Sequence, residues 1–319
     1  MKIAHIADLH FSTFFKNSNL ENIKHILKYI LRTKADHTVI AGDLTDNADS
    51  KDFEILRKLF KSFNILSSDR LSLVIGNHDI FGGLQTPEDI LSFPEKCKNV
   101  KYDKMVKQFG DYYYESFSGT NKNDASYFPF VKVLDDIQFI GLNSIAHYSK
   151  MKNPFGSNGK ITDNQLIETG NLLKSSSSAN LKRIVLVHHH FNKIKLKKNN
   201  LAPGFWQKIE KQTMKLKKKK RIISFFKEYN VDIVLHGHWH SNLEYSREQI
   251  RFFNAGATIK ENFPNELRVN FINTDHNVIT METHKLVADS SIIIHRNSFR
   301  DGIEEANEKK DELKIAANY

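Results

Sequence analysis

Cysteine is all but missing from this chain: Cys97 stands alone among 319 residues. A lone cysteine excludes an intramolecular disulfide and fits a reducing compartment, so the expected location is the cytoplasm and Cys97 reads as a free, structurally neutral thiol. Also missing is any apolar run of ~20 residues, so no transmembrane helix and no membrane partner are expected. The N-terminus, MKIAHIADLH, makes a poor signal peptide: its apolar stretch is short, offers no small-residue cleavage site and already carries Asp8 and His10. Neither an internal repeat nor a clear linker interrupts the chain. Residues 1–295 are therefore expected to form one domain, with 296–319 a charged C-terminal tail, either a surface helix or partly disordered. Acidic residues are the minority, 37 against 47 basic, for a net charge of +10 and a pI of about 9.3. That balance favours anionic partners such as nucleotides, nucleic acid or anionic lipid. Much of the excess sits in residues 193–200 (KIKLKKNN) and 215–221 (KLKKKKR). A solvated charged helix face is the plain explanation of those runs, and a dedicated anion patch the sharper one.

What is present is a composition of soluble globular type, 40% hydrophobic and 26% charged. The first third alternates strand and helix. Strands are expected at 2–7, 38–41 and 71–75. Between them lie helices with apolar faces Leu20, Ile23, Ile26, Leu27, Ile30, Leu31 and Phe53, Leu56, Leu59, Phe60, Phe63. Ser18 or Asn19 is the candidate cap of the first, and Asp49 or Ser50 starts the second. This order predicts parallel strands with covering helices. From Gly82 to about Asp124 the pattern weakens, and DYYYESFSG reads as a short strand or loop near the site. Further strands are expected at 137–142, 184–187 and 233–235. Thr162 and Gln165 form a T-x-x-Q capping box that opens a helix. Ser175 to Ser178 reads as a loop, and Pro203-Gly204 breaks the chain before a basic helix from about Trp206 to Tyr229. RFFNAGAT, LRVNFINT, NVITMETH and SSIIIHR read as consecutive, mostly antiparallel short strands.

The chemistry lies in five apolar runs: IAHIADLH, HTVIAGDLTDN, LSLVIGNHD, RIVLVHHH and VDIVLHGHWH. Each ends in Asp, Asn or His. In open α/β sheets, sites form where the carboxyl ends of strands meet. The ligand types are hard oxygens mixed with imidazole, with no thiolate, which suits Mn²⁺ first and Fe or Zn²⁺ as alternatives. They are too many for one ion, so two adjacent divalent ions are expected, acting on a phosphate ester.

These segments resemble the calcineurin-like metallophosphoesterase superfamily over roughly residues 1–285. The matching motifs, in order, are Asp8-Leu-His10, Gly42-Asp43-Leu-Thr-Asp46, Gly76-Asn77-His78-Asp79, His188 and Gly237-His238-Trp-His240. The resemblance implies an α/β fold, a four-layer α/β/β/α sandwich of two mixed sheets. It implies that Asp8, His10 and His240 hold one ion, that Asn77, His188 and His238 hold the other, and that Asp43 bridges both. A hydroxide held between the ions would attack the phosphorus. His78 would protonate the leaving oxygen or stabilise phosphate charge, with Asp79 orienting its ring. Within HHH, His188 continues the strand, while His189 and His190 stay open as ligand or substrate contact. Asp46 reads as a loop or capping residue, Trp239 as packing or as a platform for a base, and His5 and His25 as structural or exposed.

The substrate is less legible. A small-molecule, cyclic-nucleotide-like phosphodiester, similar to those of bacterial cyclic-nucleotide phosphodiesterases, is the first reading, and it makes the partner an anionic nucleotide. A DNA or RNA nuclease is the alternative, kept open by the basic excess and by Phe205, Trp206 and Trp239. A catalytically silent metal-binding scaffold is the reading from another class. The loops that would read a base carry no known code, and the oligomeric state is open.

Overall fold

The computed structural model describes residues 1–14, 19–84, 89–175, 180–192, 214–260, 263–274, 279–287, 291–297 and 312–316. The basic run at 193–200, the Pro203-Gly204 break, the first part of the expected basic helix and nearly all of the serine run lie outside these residues.

The first part follows the β-α-β-α-β order: β1 (Lys2–Ile6), α1 (Leu20–Arg32), β2 (His37–Ala41), α2 (Ser50–Ser62) and β3 (Leu71–Val74). The three strands pair in parallel, Ile3 with His37 and Thr38 with Leu71. A short α3 (His78–Phe81) leads to α4 (Asp89–Asn99), α5 (Tyr102–Tyr112) and a 3-10 turn at Tyr114–Phe117. Then come β4 (Asn121–Lys122), β5 (Phe130–Leu134), β6 (Ile137–Gly141), α6 (Asp163–Ser175), β7 (Lys182–Leu186), α7 (Lys219–Glu228) and β8 (Ile233–His236). The last third is strand: β9 (Leu243–Arg247), β10 (Ile250–Asn254), β11 (Ile259–Lys260), β12 (Phe263–Asn273), β13 (Thr280–Val287), β14 (Ser291–Asn297) and β15 (Glu312–Ala316).

Two mixed sheets result. One runs β15-β14-β13-β12-β1-β2-β3, with β11 on β12; the other runs β4-β5-β6-β7-β8-β10-β9. They face each other, and the alternation of side chains shows why. Ile184 and Leu186 of β7 and Ile233 and Leu235 of β8 join the core with Ile3 and Val39. Val185 and Val234 point the other way, onto Leu166 and Leu173 of α6 and Ile222 and Phe226 of α7. A strand buried on both faces reads as a continuous apolar run. Helices α1 and α2 cover the outer face of the first sheet through Ile23, Ile26, Leu27, Phe53, Leu56 and Phe60. The molecule is thus the four-layer α/β/β/α sandwich expected. No helix among the described residues is long and apolar enough to cross a membrane.

Several local expectations change. The stretch after Gly82 holds two helices, with Pro94 carried inside α4, and DYYYESFSG is the end of α5 plus the 3-10 turn. The late strands are not one antiparallel series: β10 pairs in parallel with β8, while β12 to β15 form the antiparallel meander of the other sheet. The tail, expected as a helix or loose, contributes the edge strand β15. Asn19 occupies the N-cap of α1 without a capping side-chain bond; its amide donates to the carbonyls of Leu9 and His10 at 3.3 and 3.4 Å, tying the helix to the site loop. Thr162 caps as expected, accepting from Gln165 N at 3.1 Å. Gln165 does not reach back; its side chain bridges the N–H and carbonyl of Asn143, each at 2.8 Å.

Candidate metal centre

Because β1, β2 and β3 run in parallel in one sheet, and β7 and β8 in the other, five strand ends share one edge of the sandwich. Backbone bonds fix the loops there. Asp8 N donates to Gly42 O at 3.0 Å, and Leu9 N and His10 N to Asp43 O at 2.9 and 3.1 Å. Two contacts sew the sheets together at the same point. His238 N donates to Asp8 Oδ2 at 3.0 Å, and His188 Nδ1 meets the Ala41 carbonyl at 2.8 Å. Asp8, His10, Asp43 and His238 all have left-handed backbone, with φ of 53°, 44°, 52° and 67°. Such conformations cost roughly 1–3 kcal/mol each and persist where the surroundings enforce them, commonly at functional sites. Gly42 and Gly76 make the close approach feasible. A Cβ on Gly42 would lie 2.5 Å from His188 Nδ1, and one on Gly76 would lie 2.1 Å from Asp43 Oδ1.

Among the described residues three groups of ligand atoms converge, each within 4.8 Å: Asp8, His10 and His240 in one, Asp43, His188 and His238 in a second, and His10, Asp46 and His78 in a third. In the first, His10 Nε2 and His240 Nε2 are 3.4 Å apart. In the second, His188 Nε2 faces Asp43 Oδ2 at 3.2 Å, Asn77 Oδ1 at 3.1 Å and His238 Nδ1 at 3.0 Å. Asp43 stands between them. Its Oδ1 accepts from His78 N at 2.8 Å, which turns Oδ2 toward His188 and, at 4.0 Å, toward His10 Nε2.

The electrostatics test whether these residues suit cations. Asp8 and Asp43 are buried, and the charged groups facing them are histidines and each other. Burial raises Asp8 to about 7, opposed by His188 and reinforced by Asp43. Asp43 is drawn well below the usual carboxylate range, because His188 and His78 outweigh its burial. His188 is lifted to about 9 by Asp43 and Asp8 against its own burial. Burial and neighbouring imidazoles hold His238 well below the ordinary histidine value, and the His10 imidazole lowers the exposed His240 in the same direction. Neutral imidazoles keep a lone pair free, and His238 Nε2 is buried without a partner. Buried carboxylates, one amide oxygen and imidazoles fit a pair of divalent ions of the Mn, Fe or Zn kind.

The remaining site residues fall into place around this centre. His78 turns Nδ1 to the carbonyl and Oδ1 of Asp46, at 3.2 and 3.1 Å, and lies edge-on to His10 at 4.5 Å between ring centroids. Asp79 does not orient that ring: its Oδ1 accepts from Thr45 N at 2.9 Å and its Oδ2 from Gly76 N at 2.9 Å. With its carboxylate spent on bracing the two loops, Asp79 leaves the orienting contact to Asp46. Asp46 also faces His10 Nδ1 at 3.3 Å, so it sets two rings at once. Its signal in the sequence was the second acid of GDLTD. Within HHH, His188 alone reaches the Asp43–Asn77 cluster. His189 meets Ser144 Oγ at 2.8 Å and the Ser157 carbonyl at 3.1 Å, and the His190 ring packs near His238 and Trp239. Trp239 is half-buried, and Asn254 holds its carbonyl at 2.8 Å. His5 is buried within β1 and His25 is exposed on α1.

Residues 1–242 match the family model described as calcineurin-like phosphoesterase. Among curated proteins nothing matches. Among solved structures, a dimetal phosphatase from Danio rerio is similar at 10% identity and a TM-score of 0.53, covering 99% of this chain and 98% of that one. An archaeal phosphodiesterase is similar at 12% identity and 0.41, over 89% of this chain and 99% of its own. A Vps29 mutant from Entamoeba histolytica gives 12% and 0.40, over 94% and 100%. At these identities the likeness is one of fold alone.

Proposed function

Because the chain belongs to the calcineurin-like phosphoesterase family, we propose that it is a two-metal phosphodiesterase that hydrolyses a small, cyclic-nucleotide-like phosphodiester. The observation that carries this reading is the position of Asp43, whose Oδ2 lies 3.2 Å from His188 Nε2 and 4.0 Å from His10 Nε2, between the first two groups of ligand atoms. Asp8, His10 and His240 would hold one ion, Asn77, His188 and His238 the other, and Asp43 both. Two bound divalent ions supply Lewis-acid charge to the phosphate and water activated near neutral pH.

The rest falls to the chain's own groups. Asp46 holds His78 by Nδ1, which leaves Nε2 as the ring atom for a substrate oxygen. Burial opposes a charge on His78, but Asp43 and Asp46 outweigh it and raise the ring to about 10, which favours its protonated form. A protonated imidazole at the mouth of the site can donate to a phosphate oxygen or to the leaving alkoxide. The His190 ring lies between Trp239 and His238, with ring centroids 5.8 and 6.1 Å away.

Three experiments test the reading. Metal analysis of the purified protein should give two ions per chain. Turnover of bis-p-nitrophenyl phosphate and cyclic AMP with Mn²⁺ should exceed that of p-nitrophenyl phosphate; the reverse preference would make the enzyme a monoesterase. His78→Ala should lose turnover by about 100-fold or more for an alkyl ester, within the usual range for a general acid, and by less for p-nitrophenyl esters. Equal losses for both would remove the proton-donor role.

A further inference from the structure

The ligand loop after β7 is backed by a lysine-rich segment. His189 packs on Gly159, where a Cβ would lie 2.6 Å from the ring. Gly159 in turn pairs with residues 215–217: its N–H donates to Lys215 O at 3.0 Å, and its carbonyl accepts from Lys217 N at 2.9 Å. The backbone of residues 215–217 is therefore joined to the ligand loop through Gly159 and the His189 ring. Side chains then gather the charge. Lys217 Nζ donates to the Lys152 carbonyl at 3.3 Å, beside the exposed Lys152 and Lys160. Lys219 Nζ donates to the Asn192 carbonyl at 2.9 Å, and Arg247 to the Asn192 side chain at 3.2 Å.

These contacts use carbonyls and an amide, not carboxylates, so the positive charges crowd one another. Burial and the charges of Lys152 and Lys160 push Lys217 down, and burial with Arg247 and Lys215 pushes Lys219 down to about 8. The neighbouring acid, Asp163, pairs with Lys218 and Arg221 and also feels the charge of Lys160. The charge of Lys219 also reaches the rings of His189, His190 and His236, which places it against the site loop. Crowded like charge destabilises a fold, and an anion relieves it.

We propose that Lys152, Lys160, Lys215, Lys217, Lys219 and Arg247 form an anion subsite for a second phosphate of the substrate. Among the small phosphodiesters of that reading, the preferred substrate is then one with at least two phosphates, in a nucleotide chain or ring, with cyclic AMP the poorer one. The proposal rests on the reading of the adjacent centre as a phosphodiesterase.

The test compares the Mn²⁺-loaded wild type with the Lys152→Ala/Lys217→Ala double variant on bis-p-nitrophenyl phosphate, cyclic di-AMP, a 5′-phosphorylated dinucleotide and a single-stranded hexanucleotide. The ratio of kcat/KM on two-phosphate substrates to that on bis-p-nitrophenyl phosphate should fall about tenfold. The slope of log kcat/KM against log salt should lose about one to two. Lys152→Arg/Lys217→Arg should restore both. Preference between the ring and chain substrates identifies the source of the second phosphate. A ratio that does not move overturns the subsite. Fluorescence anisotropy of a labelled hexanucleotide reads binding without turnover. Weaker binding by the alanine variant, in a protein that leaves bis-p-nitrophenyl phosphate intact, would sink the phosphodiesterase reading and keep the subsite. Equal binding with hydrolysis intact would sink the subsite alone.

Discussion

Replacing Asp46 by Asn removes a charge and little else. Asp46 Oδ1 lies 3.1 Å from His78 Nδ1 and 3.3 Å from His10 Nδ1, and the side chain is mostly buried. Once ions are bound, Asp43 is committed to them, and Asp46 becomes the principal carboxylate holding a proton on His78. A charge-assisted hydrogen bond of this kind is worth about 1.5–3 kcal/mol. At ~1.4 kcal/mol per pKa unit, that is about one to two units. The sign is fixed: a negative neighbour raises an imidazolium pKa, so its removal lowers it. Asp46→Asn should move the alkaline limb of the kcat/KM profile for bis-p-nitrophenyl phosphate down by at least one pH unit. Turnover at pH 8 should drop about 10- to 100-fold, the range seen when a partner that orients a ligand histidine is lost. Metal content should be measured alongside, because His10 shares the same carboxylate. An alkaline limb that stays in place while both ions are retained would refute the orienting role and return it to Asp79.

Three further outcomes follow from the geometry. Asp43→Ala should lose both ions, since one oxygen serves the two groups; two ions per chain in that variant by metal analysis would overturn the bridging assignment. Gly76→Ala puts a Cβ 2.1 Å from Asp43 Oδ1 and 2.2 Å from Asp43 N. It should destabilise the fold by about 1–3 kcal/mol and weaken metal binding, whereas an unchanged melting temperature would mean the loop can yield. Lys132 is buried on β5 and donates to the carbonyls of Ser68, Leu71 and Ser116 at 2.7, 2.8 and 3.3 Å. Burial lowers its ammonium to about 7, against 10.5 for the free side chain. Between those values the unfolded chain binds the extra proton, so stability should rise with pH across that window, by about 5 kcal/mol at most. In Lys132→Met that rise should flatten when urea midpoints are compared at pH 6.5, 8 and 9.5; an identical slope would show that Lys132 stays charged.

What the sequence discloses here depends on how local the physics is. Strands β1, β2, β3, β7 and β8 are buried on both faces, so their runs are apolar throughout and each stops abruptly at a ligand. That is why their shared edge could be inferred before any contact was seen. Helices α4 and α5 are harder to read, because Pro94 and Gly110 interrupt the periodicity that marks a helix. Strand β9 is short and half-exposed, and its pairing with β10 is decided by Phe252 packing on Tyr245 rather than by its own pattern. The capping residues show the same limit. Thr162 acts within its own turn and was legible, whereas the side chains of Gln165 and Asn19 are drawn off by partners more distant in the chain. Asp46 and Asp79 make the point at the site itself. Each lies next to a motif residue, and either could have turned toward His78. The choice is made by the N–H groups of Thr45 and Gly76, which converge on Asp79 once β2 and β3 are side by side and leave Asp46 as the carboxylate at the ring. Type and spacing thus announce which residues assemble, but the division of labour among adjacent carboxylates is fixed by the loops' own backbone donors, and these are identical in every sequence until the fold aims them.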